Sequence, residues 1–160
     1  MRGMSGSLQF AVFGRIAFAA ALGFVIGLER ELRGSPAGER TIALVAAGAA
    51  AFSSIAVEIF PETDGQILAG VATSIGFLGA GLIWRMGAGP DRGLTTAAGT
   101  WTVAAMGLLA GARLYLTAGL VAVLTLLILE YEYFPLLGRL VHRTPAPSEP
   151  EDQPTSEPGA

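Results

Sequence analysis

The sequence predicts an all-α integral membrane protein, built as a compact bundle of about five transmembrane helices. Hydrophobic residues make up 52 % of the 160 residues and charged residues only 14 %. A soluble domain carries roughly 25 % charged residues, so this chain lacks the groups that hydrate a soluble surface. The mean hydropathy of +0.56 points the same way, and the length fits a single domain.

Five apolar segments are long enough to cross the hydrocarbon core, which takes about 20 residues in a helix. The fourth is polar in its first half, so it either spans inside the bundle or forms a re-entrant hairpin with the preceding loop. The first resembles a signal peptide, but only Arg2 precedes it, and such a peptide needs positive charge ahead of its apolar run. A retained span is favoured. The segments cover residues 10–28, 41–60, 66–84, 94–112, and 114 to within 130–134.

Arginine is concentrated on one side of the predicted bundle. The loops after the first and third segments and the stretch after the fifth hold seven arginines, whereas the opposite side holds only Arg2 and Arg113. By the positive-inside rule the arginine-rich side is cytoplasmic. The N-terminus is therefore predicted outside and the C-terminus in the cytoplasm, as five spans require. The seven are Arg30, Arg33, Arg40, Arg85, Arg92, Arg139 and Arg143.

Four parts follow from these patterns along the chain. Residues 1–9 form an N-terminal periplasmic segment, 10–134 the transmembrane domain, 135–143 an interfacial segment, and 144–160 a cytoplasmic tail. The tail holds five of the nine prolines and four of the 13 acidic residues. Such a composition cannot bury enough apolar surface to offset the entropy of ordering, so the tail is predicted to be disordered.

The residue types that are missing exclude several kinds of chemistry. The chain has no cysteine and a single histidine, His142, which excludes disulfides, thiolate metal sites, a cysteine nucleophile and a multi-histidine zinc site. Without its acidic tail the chain is nearly neutral, which argues against nucleic acid as a partner. The spans also lack paired aspartates, so the sequence predicts no enzymatic activity, no cofactor and no bound metal.

Glycines recur at helical spacing in three of the spans. In lipid, small residues let helix backbones approach closely, so these glycines are expected at helix crossings. The three in the third span weaken a helix by up to roughly 1 kcal/mol each relative to alanine, which indicates either a very close crossing or a locally broken helix. The glycines are Gly23, Gly27, Gly76, Gly79, Gly81, Gly107 and Gly111.

The densest ionisable cluster, Glu29-Arg30-Glu31, follows the first span. Glu29 and Arg33 are four residues apart and can pair if the helix continues through them. One interpretation is a solvated loop whose charges anchor it at the interface. The other is a functional polar surface where the cytoplasmic ends of several spans meet.

The predicted topology brings the start of the second and fourth spans to this same side. Arg92 is expected to approach the two glutamates through strong carboxylate–guanidinium bonds, and Thr95 and Thr96 to cap the fourth span. The predicted surface, called the cytoplasmic surface below, comprises Glu29, Arg30, Glu31, Arg40, Thr41, Arg92, Thr95 and Thr96.

Arg15 is the only charge well inside a span. An intramembrane arginine is a functional candidate by default, but near a helix end its side chain can instead reach the interface. Carboxylates, which Mg²⁺ prefers, occur only near span ends, at Glu29 and Glu58. This weighs against magnesium transport, although the threonines of the fourth span keep a polar path open as an alternative.

Three motifs occur in order along the chain: Gly27-Leu-Glu-Arg-Glu31 with Ala37-Gly38 ahead of Arg40, then Ile75-Gly-Phe-Leu-Gly-Ala-Gly81, then Arg92-Gly-Leu-Thr-Thr-Ala-Ala98 closed by Trp101. Together they resemble the MgtC/SapB family of small bacterial inner-membrane proteins, in a short form without the C-terminal cytoplasmic domain. The resemblance implies a helical multi-pass protein of the bacterial inner membrane with a periplasmic N-terminus and no catalytic activity. The family is associated with growth at low magnesium and, in some pathogens, with survival inside host cells.

The function expected from this resemblance is regulation or binding of another membrane complex, linked to adaptation to low magnesium. The alternative is a transporter or channel for magnesium or another small ion. The expected partners are the lipid bilayer and either another inner-membrane protein or a second copy of the chain.

Reporter fusions test the predicted orientation. A fusion at Asp64 should report the outside of the membrane and a fusion at Pro150 the cytoplasm, because the arginine-rich loops stay inside. A cytoplasmic Asp64 would overturn both the orientation and the number of spans.

Overall fold

The computed structural model describes residues 5–85 and 93–130, and these form five α-helices. The first four are long and apolar enough to cross a membrane, whereas α5 is apolar but has 15 residues. At 1.5 Å per residue α5 covers about 23 Å of the roughly 30 Å hydrocarbon core. The all-helical membrane fold is therefore confirmed with four helices long enough to span, and the fifth span stays a prediction. The helices are α1 Gly6–Leu32, α2 Glu39–Ile59, α3 Asp64–Arg85, α4 Leu94–Gly111 and α5 Tyr115–Leu129.

The helix ends refine the predicted organisation. α1 already begins at Gly6, with the Ser5 hydroxyl accepting the N–H of Leu8 at 3.4 Å, so residues 6–9 belong to the helix rather than to a separate segment. α4 is one continuous helix of 18 residues, long and apolar enough to span, which favours a full span over the re-entrant alternative. The predicted interfacial segment and tail lie outside the described residues.

α2 is held between α1 and α4 by contacts that only glycine permits. A Cβ on Gly23 of α1 would lie 2.8 Å from the Cβ of Ala46, and one on Gly27 would lie 2.5 Å from the Cα of Glu39. From the other side, a Cβ on Gly107 of α4 would lie 2.9 Å from the Cβ of Ala49. Gly111 meets Ser53 in the same way, at 2.7 Å. Backbones this close give the extensive dispersion contacts that hold helices together in lipid.

The glycines of α3 do not lie at such crossings. α3 is a continuous helix, so the expected local break is absent, and among the described residues a Cβ on Gly76 or Gly81 would meet nothing within 4 Å. Gly79 comes 3.6 Å from the Cβ of Ala97, an ordinary contact. The expectation of a close crossing at Gly76 and Gly81 was wrong within the described chain, because both residues lie on the exposed part of α3.

α4 packs against all four other helices. The core around it is built mainly from small side chains, with alanines from α1, α2, α4 and α5 fully or almost fully buried. Larger buried side chains, Ile26, Val103 and Met106, fill the remaining space. α3 lies at the edge of the bundle, against α4 and α2, and only Val71 and Gly79 of it are buried.

Replacing Gly107 by alanine should destabilise the bundle. The added methyl group overlaps α2, and overpacking of this kind costs about 1–3 kcal/mol. Thermal unfolding in mild detergent measures the loss. The matched control is Gly76→Ala, which has open space and should gain up to about 1 kcal/mol from helix propensity. Equal melting temperatures for the two variants would contradict the glycine-dependent packing of α2.

Candidate functional site

Two polar clusters lie at opposite ends of the bundle. Gly23 and Gly27 of α1 meet α2 in reverse order along its sequence, so α1 and α2 are antiparallel. The end of α2 and the α4–α5 turn therefore lie at the end of the bundle nearer the α1 N-terminus. The cytoplasmic surface predicted from the sequence lies at the other end.

Arg15, Glu58 and Arg113 form an ion cluster at the α2 end. The Nη1 atom of Arg15 lies 2.7 Å from Oε1 of Glu58 and donates a 3.3 Å hydrogen bond to the carbonyl of Gly111. That carbonyl also accepts the hydroxyl of Ser54 at 3.4 Å. The Arg15 side chain is only 4 % exposed, so its interpretation as a side chain reaching the interface is wrong. It pairs inside the bundle instead.

Arg113 reaches the same carboxylate from the α4–α5 turn. Its Nε donates to Oε1 of Glu58 at 3.1 Å, and its Nη2 is also in contact with that atom. The hydrogen bonds that Arg113 donates to Glu58 raise the pKa of the Arg113 guanidinium. Three chain segments are thereby tied to one carboxylate.

The backbone at Arg113 is strained. Its φ of 69° is left-handed, and it is the only described non-glycine residue with positive φ. The N–H groups of Arg113 and Leu114 bond to the carbonyls of Ala110 and Leu109, the pattern of a Schellman motif, whose left-handed position is usually glycine. A left-handed non-glycine residue costs roughly 1–2 kcal/mol. Arginine at this position forms the ion pair with Glu58, and this contact offsets the backbone strain.

The charge balance of the ion cluster favours a structural role over cation binding. One carboxylate faces two guanidinium groups, so no free negative charge remains to coordinate a cation. Nε of Arg15 is buried without a hydrogen-bond partner in the described structure, which adds a desolvation cost. A buried ion pair of this kind contributes little net stability but is costly to break. The cluster therefore fixes the relative positions of α1, α2 and the α4–α5 turn.

At the other end, the structure brings together only part of the cytoplasmic surface. Glu29 accepts hydrogen bonds from Arg30 and lies 3.5 Å from Nε of Arg33, as the four-residue spacing predicted. The Glu31 carboxylate folds over Gly38, the N-cap residue of α2, where an added Cβ would overlap it. A carboxylate at a helix N-terminus is favoured by the helix dipole.

The remaining members of the cytoplasmic surface are more dispersed. Arg40 is highly exposed and pairs with its neighbour Glu39 at 3.6 Å, and Thr41 and Thr95 are also exposed. The expected threonine caps are wrong, because the N-cap of α4 is Gly93 with a φ of 92° and no side-chain cap. The Thr96 hydroxyl instead lies 3.5 Å from that of Ser35, joining the α1–α2 loop to α4. The predicted approach of Arg92 lies outside the described residues.

Sequence reasoning left Arg15, Glu58 and Arg113 out of the predicted site. The intramembrane position of Arg15 did mark it as unusual, and Glu58 is the single acidic residue near the end of the second span. Their pairing depends on the antiparallel register of α1 and α2, and nothing in the sequence marks the left-handed backbone of Arg113.

Comparison with known proteins assigns the fold to a family. The model of the MgtC family matches residues 16–134. The chain belongs to the MgtC family. The matched region of this MgtC-family protein includes Glu58 and Arg113 and begins one residue after Arg15. No solved structure matches the chain significantly.

Curated relatives come from several bacteria. Protein MgtC of Salmonella typhimurium is 45 % identical over 104 residues, covering 65 % of this chain and 45 % of that protein. Protein SrpB of Synechococcus elongatus is 43 % identical over 117 residues, covering 63 % of each chain. Protein MgtC of Brucella abortus is 44 % identical over 100 residues, covering 62 % and 42 %. This MgtC-family chain spans about half the length of the curated relatives it matches.

Glu58→Gln should destabilise the protein by about 3–5 kcal/mol, because it leaves Arg15 buried without a counter-charge. Chemical unfolding in detergent measures this loss. The double variant Arg15→Leu with Glu58→Leu should recover most of it, since hydrophobic replacement of a buried pair is often neutral. A Glu58→Gln variant as stable as the wild type would contradict the buried pairing.

Proposed function

We propose that this protein is a non-enzymatic regulator of the bacterial inner membrane that binds another membrane complex and supports adaptation to low magnesium. Membership of the MgtC family supports the connection to magnesium. The proposed orientation has the N-terminus outside, so that the cytoplasmic surface and the C-terminus face the cell interior.

The observation that carries this proposal is a face of α3 that packs against no other described part of the chain. Ala69, Thr73, Gly76 and Ala80 recur every three or four residues, so they share one face of the helix, and all four are exposed. Small residues at this spacing are typical of close helix–helix association in lipid. We call these four residues the open face of α3. A transmembrane helix of a partner fits there without any rearrangement of the bundle.

The cytoplasmic surface, at one end of the bundle, supplies a polar contact in addition to this apolar one. Glu29 and Arg30 are half-buried and already paired with each other, so they are held in place by the end of α1. Glu31 and Arg40 remain exposed. Charged groups arranged in this way contribute mainly to the specificity and rate of association.

The contacts of the buried threonines favour regulation over cation transport. The hydroxyls of Thr100 and Thr125 donate to carbonyls of their own helices, at 2.8 and 2.7 Å. Both hydroxyls are therefore held against the backbone of their own helix rather than turned toward a shared polar path. Within residues 5–85 and 93–130 there is also no group of three His, Cys, Asp or Glu side chains that could hold a metal ion.

Three variants test the proposal: Gly76→Leu on the open face, Glu29→Gln on the cytoplasmic surface, and Gly119→Leu on α5 as the control. An added Cβ at Gly76 or Gly119 meets nothing within 4 Å among the described residues, so both leucine variants should fold and reach normal abundance. The first two should lose growth at low magnesium and a stoichiometric partner in mild-detergent purification, whereas the control keeps both.

Two results would contradict this function. One is normal growth and partner recovery in both test variants. The other is magnesium flux through vesicles that contain the purified protein alone, which identifies a transporter.

A further inference from the structure

A cleft of about 410 Å³ runs between α2 and α3 on the outside of the bundle. Its lining is almost entirely apolar. Ala49 and Val71 form its buried floor. Behind the floor they pack in one hydrophobic cluster with Ala104 of α4. Leu44 and Phe52 of α2 flank it with 72 % and 55 % of their surfaces exposed. The cleft therefore opens sideways, toward the hydrocarbon of the bilayer.

Two glycines keep the cleft open. Gly48 of α2 and Gly70 of α3 line it from opposite sides, and among the described residues a Cβ at either would meet no atom within 4 Å. These glycines differ from those that clamp α2, where every added Cβ collides with a neighbouring helix. Here the missing side chains leave unfilled space rather than allowing close contact.

The dimensions of the cleft select its occupant. From Ile67 to Ile75 it extends about 12 Å along α3 at 1.5 Å per residue, which is most of the roughly 15 Å hydrocarbon depth of one leaflet. A lipid acyl chain is thin enough, and the surrounding bilayer supplies it.

The polar end of the cleft carries negative charge. Asp64 begins α3 and lies three residues before Ile67 and seven before Val71, on the side of the helix that lines the cleft. Its Oδ1 accepts the N–H of Gly65, and a carboxylate has further acceptor capacity. Glu62 precedes it in the same exposed turn. A headgroup with net negative charge is repelled here, whereas an ammonium group is attracted.

We propose that this cleft is a phospholipid site that holds one acyl chain, with the ammonium of a zwitterionic ethanolamine headgroup placed at Asp64. The proposal is independent of the regulatory function, because it requires neither a partner protein nor the open face of α3.

Native mass spectrometry of the full, delipidated chain tests the site. The protein in mild detergent is offered equal amounts of phosphatidylethanolamine and phosphatidylglycerol with identical acyl chains. One lipid should remain bound per chain. Ethanolamine lipid should exceed glycerol lipid by about two- to fivefold, the range expected for an exposed charge pair.

Paired variants separate the two halves of the site. Gly48→Leu fills the cleft and should lower lipid occupancy severalfold, because the added side chain takes space that the acyl chain occupies. Gly119→Leu adds the same side chain on α5, where an added Cβ also meets nothing within 4 Å, and should leave occupancy unchanged. Asp64→Asn should abolish the headgroup preference while total occupancy is retained. Glu62→Gln removes a charge that lies off the cleft-lining side of α3, so it should reduce the preference less than Asp64→Asn does.

Three outcomes overturn the proposal. The first is equal retention of both lipids by the wild type. The second is wild-type occupancy in a Gly48→Leu variant with an unchanged melting temperature, since the lipid would then lie elsewhere. A cleft occupied by a co-purifying polypeptide, with no lipid bound, would overturn it as well.

Discussion

The close approach of α2 to α1 and α4 determines the rest of the structure. In a bilayer, burying apolar surface gives helices little reason to associate, so packing contacts must hold them together. Ala46 illustrates how few atoms separate the helices: its Cβ faces Gly23 of α1 and its carbonyl faces Gly107 of α4. With α2 held in this position, Glu58 at its end lies within reach of both Arg15 and Arg113. The geometry of the ion cluster therefore depends on glycine contacts at a distance from it.

The sequence predicts the positions of the helices better than it predicts which helix faces pack together. Hydropathy and length located all five helical segments, because a bilayer allows few other structures for an apolar run of that size. Glycine spacing also identified Gly23, Gly27, Gly107 and Gly111, which the structure places at close crossings. The same reasoning failed at Gly76 and Gly81. A pattern of small residues shows that one face of a helix permits close approach. It does not show which neighbouring surface packs against that face.

Among the polar contacts, those within one helix were predictable from the sequence and those between helices were not. The pairing of Glu29 with Arg33 follows from local spacing on one helix, and it was predictable. The contact between Arg15 and Glu58 joins residues on two helices, and it depends on how far α2 extends alongside α1. The missed cap at Gly93 and the left-handed turn at Arg113 depend on backbone angles. In a sequence, glycine is the residue that typically indicates a left-handed backbone. Nothing at Arg113 therefore predicts its positive φ.

α3 differs from the other spans in what it leaves open. α1, α2 and α4 are closed against one another by glycine contacts and by the ion cluster, so little of their shared surface is free to bind anything else. α3 contributes only Val71 and Gly79 to the buried interior. Its two exposed sides face in different directions. Ser74 lines the cleft with α2, whereas Gly76 lies two residues further on, about 200° around the helix, in the open face. A lipid in the cleft and a partner helix on the open face therefore do not compete for the same surface. The lipid would instead support α3 from the side of α2 and leave the open face turned toward a partner.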